Sequence, residues 1–250
     1  MAFYDSYNYL SYWQGRGYED NCERIALEKF FRKITIKKSI IDIGGGFGRL
    51  VSVYSPIFEK CIVLDPAEKN LSVGKEKTKN LSNVSFVQGS LPRLSFKNLS
   101  FSTALLIRVS HHLPDLVPSF REINRILEKN GFLILEIANK IHFLARARAI
   151  SHGNFSFVKD LSPLERRSEI NIKEDSIAFI NHHPQKVMED LKDTGFLVRE
   201  ILSVSNFRSP IIKKIIPEKI LLSLEKAWQK PLAKSYFGPS IFILAQKNDS

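Results

Sequence analysis

The 250 residues carry a formal charge of +11, with 44% hydrophobic and 25% charged side chains, which excludes a disordered chain or fibrous repeat and suits one full-sized core. The positive balance favours anionic partners without choosing among nucleic acid, a membrane surface and acidic substrates. No apolar run reaches the roughly 18 residues of a spanning helix, and the N-terminal stretch MAFYDSYNYLSYWQGRGYED is aromatic and polar where a secretory signal is basic then apolar. Cys22 and Cys61 stand without a CxxC spacing or a histidine cluster, so the expectation is a soluble, cytoplasmic chain with reduced thiols, no transmembrane segment and no metal.

The first twenty or so residues place Tyr4, Tyr7, Tyr9, Tyr12, Trp13 and Tyr18 around Arg16, ahead of a helix expected to be capped by Asn21. Short apolar runs rich in β-branched residues follow at 39–45, 60–65, 83–89, 101–109 and 131–138; they read as buried parallel strands. Between them, 48–60, 67–80 and 115–130 show helical spacing, the last closed by Asn130 and Gly131. Strand and helix in alternation predict a right-handed, doubly wound α/β sheet.

After Asn139 the pattern loosens to a helix and loops, with no confident strand before Pro184. Residues 184–194 read as a helix opened by Pro184, and 195–204 and 239–247 as two further strands. The insertion at 206–236 sets seven basic side chains against Glu218 and Glu225. Its helix, over 217–230, puts Ile220, Leu221, Leu224 and Trp228 on one side, which reads either as a core-facing stripe, the favoured reading, or as a peripheral membrane contact or a lid over a hydrophobic substrate. A single domain is expected, with an N-terminal cap over 1–34, a cofactor-binding core over 35–140, and a substrate-side elaboration with the last two strands over 141–250.

The chemistry concentrates where the first strand ends. Asp42 is followed by Gly44, Gly45, Gly46 and Gly48, glycines that let the backbone turn sharply and approach a ligand near a helix N-terminus. Asp65 ends the second strand about 20 residues further on, where a carboxylate can accept bonds from both hydroxyls of an adenosine ribose. A dinucleotide G-x-G-x-x-G starting at Gly44 would need glycine where Arg49 stands; the run is instead D-x-G-x-G-x-G from Asp42 to Gly48.

At that motif, and through VLDPAEKNL, VSFVQGSLPRLSF, LLIRVSHHLPD and FREINRILEKNGFLILEIANK, the sequence resembles the class I S-adenosylmethionine-dependent methyltransferases, in particular those of ubiquinone and menaquinone biosynthesis. The resemblance spans about residues 35–140. It implies a Rossmann-like, mostly parallel seven-stranded sheet with an antiparallel last strand and helical C-terminal insertions. It implies S-adenosylmethionine as cofactor, with its methionine part over the loop of Asp42, Gly44, Gly45, Gly46 and Gly48, its ribose on Asp65 beside Pro66, and its adenine near Gly89 and Ser90; Arg108 joins the expected binding set. The N-terminal aromatic segment reads either as a flap over the cofactor, with Arg16 and Tyr12 meeting its methionine part, or as an aromatic packing strap on the sheet. Two positions depart from the family: Ser90 and Ser102 stand where it commonly has aspartates, which weakens charge-assisted contact with adenine.

His111 and His112 follow the fourth strand at the carboxyl edge, where they serve either as a base toward the methyl acceptor or as a polar turn beside the cofactor. His182 and His183 precede a helix; adjacent histidines seldom converge on one ion, so no metal is assigned to them. The expected reaction is in-line methyl transfer to a small-molecule or lipid-like acceptor. A nucleic-acid methyltransferase, supported by charge alone, and a non-catalytic adaptor retaining the fold are the alternatives.

Overall fold

The computed structural model of the chain describes Trp13, residues 15–173 and residues 176–248. Seven strands form one sheet: β1 (Ser39–Ile43), β2 (Lys60–Asp65), β3 (Val84–Gln88), β4 (Phe101–Leu106), β5 (Leu127–Ala138), β8 (Phe196–Val204) and β9 (Ser240–Lys247), in the order β3-β2-β1-β4-β5-β9-β8. The first five run parallel and β9 runs antiparallel to both β5 and β8. This is the doubly wound, Rossmann-like sheet with an antiparallel last strand that the sequence implied. Every residue of β1 and β4 is buried, because helices cover both faces.

Side chains of successive strand residues point to opposite faces, so two apolar cores form. One gathers Phe30, Tyr54, Val63, Leu105, Ile134 and Leu244 beneath α1 (Gly17–Phe31), the short α2 (Val51–Tyr54) and α9 (Glu218–Ala233). The other gathers Ile41, Leu64, Leu106, Leu135 and Ile243 against Phe120 and Ile123 of α4 (Val117–Ile126) and Leu191 of α7 (Pro184–Asp193). The remaining described elements are α3 (Glu68–Lys77), a 3-10 turn at Ser110–His112, α5 (Phe143–Ser151), α6 (Glu169–Lys173), α8 (Pro210–Ile215) and a two-residue ladder between β6 (Leu164–Glu165) and β7 (Ile180–Asn181). Among the described residues no helix is long and apolar enough to cross a membrane.

Several expected boundaries move, each for a packing reason. The first helix starts at Gly17, with Asn21 inside it rather than capping it. Tyr18, Cys22, Ala26 and Phe30 are all buried at four-residue spacing, so Tyr18 draws the first turn into the helix, and Asn21 Nδ2 donates instead to Glu218 (3.2 Å). The helix expected over 48–60 shrinks to four residues, since Pro56 has no N–H to continue the ladder. The helix expected to reach Asn130 ends at Ile126, and Leu127 pairs with Phe101 across an irregular register before Phe132 takes up Thr103. The segment 139–183 contains two helices, α5 and α6, and the β6–β7 strand pair, a pairing that its loose local pattern did not announce.

α9 turns its other side inward. Leu221, Glu225, Gln229 and Ala233 are the buried residues, whereas Ile220, Leu224 and Trp228 are exposed, so the core-facing reading of the stripe holds for Leu221 and fails for its other three residues. The cause is Glu225: fully buried, it accepts N–H bonds from Ser205 (2.7 Å) and Asn206 (3.0 Å) and the Tyr18 hydroxyl (3.1 Å). That polar node ties α1, β8 and α9 together, and it satisfies backbone donors that burial would otherwise leave unpaired.

Candidate functional site

The glycine loop is shaped from behind. Gly44 and Gly45 both donate to the Leu64 carbonyl, at 2.7 and 3.1 Å, which folds the chain tightly over the end of β2. Gly44 has φ +73°, and a Cβ there would stand 2.3 Å from Val109 Cγ2, so the position takes glycine only. A Cβ on Gly45 would meet Asp42 and Val63 at 2.8 Å. Asp42 itself is buried beneath the loop and accepts the Tyr54 hydroxyl at 3.1 Å. Burial pushes its carboxyl up to about 6, against the opposing pull of the Tyr54 hydrogen bond and Arg49.

Asp65 joins the first two loops. Its Oδ2 accepts the Gly46 N–H at 3.0 Å and its Oδ1 the Ala67 N–H at 2.9 Å, which holds the carboxylate at the strand tip in one orientation. A cavity of about 330 Å³ opens above it. Of the residues singled out from sequence, Gly44, Gly46, Asp65, Pro66, Gly89, Ser90, Arg108 and His112 line this cavity.

The others lie elsewhere. Asp42, Gly45 and Gly48 brace the loop without lining the cavity, and Arg16 sits exposed at the start of α1. Tyr12, with Tyr4, Tyr7 and Tyr9, lies outside the described residues. His111 is buried with its ring 4.0 Å from that of His112 and 4.9 Å from that of Phe179. Ser102 is fully buried in β4: its hydroxyl donates to the Ser39 carbonyl (2.7 Å) and accepts the Ser39 N–H (3.1 Å). It staples β4 to β1 and has no part in the cavity, where the sequence had weighed it as an adenine contact.

Sequence reasoning missed the apolar walls and one polar lining group: Leu91, Val109, Leu113, Ile177 and Asn70. Asn70 follows Asp65 closely enough to be found from the second-strand motif. Ile177 carries no local signal; it reaches the cavity because the backbone beyond it clips onto His112, whose Nδ1 lies 2.7 Å from the Ala178 carbonyl. That contact puts the hydrogen on Nδ1 and makes Nε2 the acceptor nitrogen. Burial, together with neighbouring cationic groups for His111, holds both rings below the ordinary imidazole range, so they are neutral near pH 7. His182 and His183 reach the carbonyls of Ser110 and Val158, each at 3.0 Å.

A second node, absent from the sequence reading, borders the site. Glu23 of α1 is fully buried; its Oε1 accepts from Arg108 Nε (2.7 Å) and its Oε2 from Arg49 (2.6 Å). The Trp13 ring lies over Arg49, 3.8 Å from guanidinium carbon to centroid, and 5.6 Å from that of Arg108. Arg108 has φ 62°, and its N–H donates to Glu136 Oε2 at 3.0 Å. The N-terminal helix is thereby fastened to the glycine loop through Arg49 and to the end of β4 through Arg108.

A parallel sheet in this strand order, with a glycine loop at the end of β1 and a carboxylate at the tip of β2 opening onto one cavity, defines a class I S-adenosylmethionine-dependent methyltransferase core. Residues 41–135 match the family model described as a methyltransferase domain. Curated relatives include the uncharacterized methyltransferase YcgJ of Bacillus subtilis (strain 168), 31% identical over 98 residues, which are 38% of this chain and 39% of that one. The demethylmenaquinone methyltransferase of Staphylococcus carnosus (strain TM300) is 38% identical over 73 residues, 29% of this chain and 30% of that one. The matched sequence thus spans less than half the length of these relatives.

Likeness of fold extends further. The crystal structure of YcgJ superposes with a TM-score of 0.59 at 17% identity, covering 91% of this chain and 99% of that one. That of an S-adenosylmethionine-dependent methyltransferase from Mesorhizobium loti gives 0.56 at 15% identity, covering 87% and 95%. The cofactor of the family fits the residues present: the glycine loop leaves room that a Cβ would fill, and Asp65 stands at the cavity floor.

Proposed function

We propose that this chain transfers the methyl group of S-adenosylmethionine to a small, apolar acceptor, and that both occupy the cavity above Asp65. The observation that carries the reading is that one cavity gathers the glycine loop, Asp65 and His112 within walls of Leu91, Val109, Leu113 and Ile177. Gly44 and Gly46 take the methionine part, Asp65 the ribose hydroxyls, and Gly89 and Ser90 the adenine. Asn70 supplies a further polar contact, and Arg108 meets the methionine carboxylate. When bound, the cofactor supplies a sulfonium-activated methyl group.

The chain's own task is then positioning and exclusion of water. Aliphatic walls bury an apolar acceptor and align its nucleophilic atom, an effect worth roughly 7–11 kcal/mol in favourable cases. His112 Nε2 accepts the proton that an acceptor hydroxyl or amine gives up; its ring is set for this by the Ala178 contact and by its neutral state. His111 packs behind it as a positioning residue. The relatives named demethylmenaquinone methyltransferase support a quinone-like ring as the acceptor class, which suits these walls.

Calorimetric titration of S-adenosylmethionine and S-adenosylhomocysteine, with NAD as control, tests the cofactor assignment. Saturable binding is expected in the wild type, weakened at least about 100-fold in Asp65→Ala by loss of charge-assisted bonds worth about 1.5–3 kcal/mol each. A folded wild type that binds neither compound overturns the proposal in favour of an adaptor. With an acceptor in hand, His112→Gln is expected to lower kcat about 100-fold or more with little change in KM.

A further inference from the structure

The outward side of α9 is a solvent-facing apolar row. Ile220, Leu224 and Trp228, at four-residue spacing, are 52%, 36% and 48% exposed, and on α8 Ile211 and Ile215 reach 69% and 74%. Single exposed aliphatics are ordinary; an aligned row ending in tryptophan, with two further exposed isoleucines on the preceding helix, is the kind of apolar patch that marks an interaction site. Its borders are basic. Lys214, Lys219 and Lys226 make no ion pair with any described carboxylate.

The surface continues past the end of β8. Arg208 there, Arg146 and Arg148 of α5, and Arg166 beside β6 all act electrostatically on the His142 imidazole, so these four guanidiniums share one neighbourhood. α5 and the turn after it add exposed Leu144, Ile150 and Phe155, the last 73% exposed. β8 lies parallel to β5, so α5 and α8 both follow strands at the carboxyl edge, the edge that carries the cavity.

We propose that α8, the outward row of α9 and the basic border of α5 form a peripheral docking surface for an anionic lipid bilayer, with the cavity edge turned toward the lipid. Aliphatic side chains and Trp228 enter the interface while the basic groups meet anionic headgroups, each worth roughly fivefold in partition. Charge complementarity selects this occupant. Phosphate-reading surfaces of nucleic-acid binders gain nothing from an exposed aliphatic row, and a second copy would set like charges against like. The docking stands on these residues alone; its use in reaching an apolar acceptor rests on the function proposed above.

The test is co-sedimentation of the full chain with vesicles of phosphatidylcholine containing about one-third phosphatidylglycerol, against pure phosphatidylcholine. Binding is expected to the anionic vesicles only, to weaken with salt, and to fall at least about tenfold in the triple variant Ile220→Ser, Leu224→Ser, Trp228→Ser. Brominated lipid is expected to quench part of the wild-type tryptophan emission, and that part is absent in Trp228→Phe. Unaltered circular dichroism and S-adenosylmethionine affinity of the triple variant show that it folds and separate this test from that of the methyltransferase reading. Failure of the wild type to sediment, or equal sedimentation of the triple variant, overturns the proposal. So does wild-type dimerisation, or binding to duplex DNA, that the triple variant loses.

Discussion

Replacing Glu23 with glutamine puts the node between the N-terminal helix and the glycine loop to a quantitative test. Glu23 is fully buried and bonds Arg108 through one oxygen and Arg49 through the other, while those guanidiniums are 19% and 10% exposed. The amide keeps the shape but removes the charge, and its NH₂ must face one guanidinium, donor to donor. Removing one partner of a wholly buried pair costs about 3–5 kcal/mol. Some water reaches both arginines, and Arg49 keeps Asp20, so the expected loss is about 2–3 kcal/mol. Urea unfolding followed by circular dichroism measures it, with Glu28→Gln, on the exposed side of the same helix, as a control expected within about 0.5 kcal/mol. A Glu23→Gln loss no larger than the control would refute the claim that this node holds the helix to the loop.

Gly44→Ala is expected to lose both stability and cofactor affinity, because the new methyl lies 2.3 Å from Val109 Cγ2 at φ +73°; thermal melts with and without S-adenosylmethionine read both, and an undiminished ligand shift would show that the loop can relax. The buried histidines give the protein an acid limit. His111, His112, His142 and His182 all bind protons less readily folded than unfolded, through burial first, with His142 held at about 4. Their stability contribution is therefore complete above the unfolded value near 6.5 and is lost as pH falls below it, so the melting temperature should drop steeply between about pH 6.5 and 4. Asp42 acts in the opposite sense: with its folded value raised to about 6, its ionisation disfavours the folded state as pH rises from about 4 to 6. Asp42→Asn should thus gain relative to wild type across that window and hold a constant difference above it, which parallel pH series of unfolding midpoints would show.

Much of the site was legible because its signals are local. A strand that is buried on both faces is a continuous β-branched run, a backbone that must turn at positive φ needs glycine, and a carboxylate at the second strand tip follows within one βαβ unit. These requirements identify Gly44, Gly46 and Asp65 without reference to the rest of the chain. What was not legible came from distant segments: Ile177 enters the cavity through a backbone contact 66 positions from His112, and Glu23 meets Arg108 across 85. Ser102 shows the converse, a position singled out by family pattern whose hydroxyl closes a bond with Ser39 on the neighbouring strand.

By itself, then, the sequence determined the parallel core, the loop over Asp65 and the cofactor they suit, since each depends on short-range sterics and hydrogen bonding. The tertiary structure decided which side of α9 faces inward. Periodicity favours burial of the apolar stripe Ile220, Leu221, Leu224 and Trp228. The fold buries only Leu221 of these, together with Glu225 and Gln229, because the turn at Ser205 and Asn206 and the Tyr18 hydroxyl all require an acceptor there, and leaving buried donors unpaired costs more than exposing an aliphatic row.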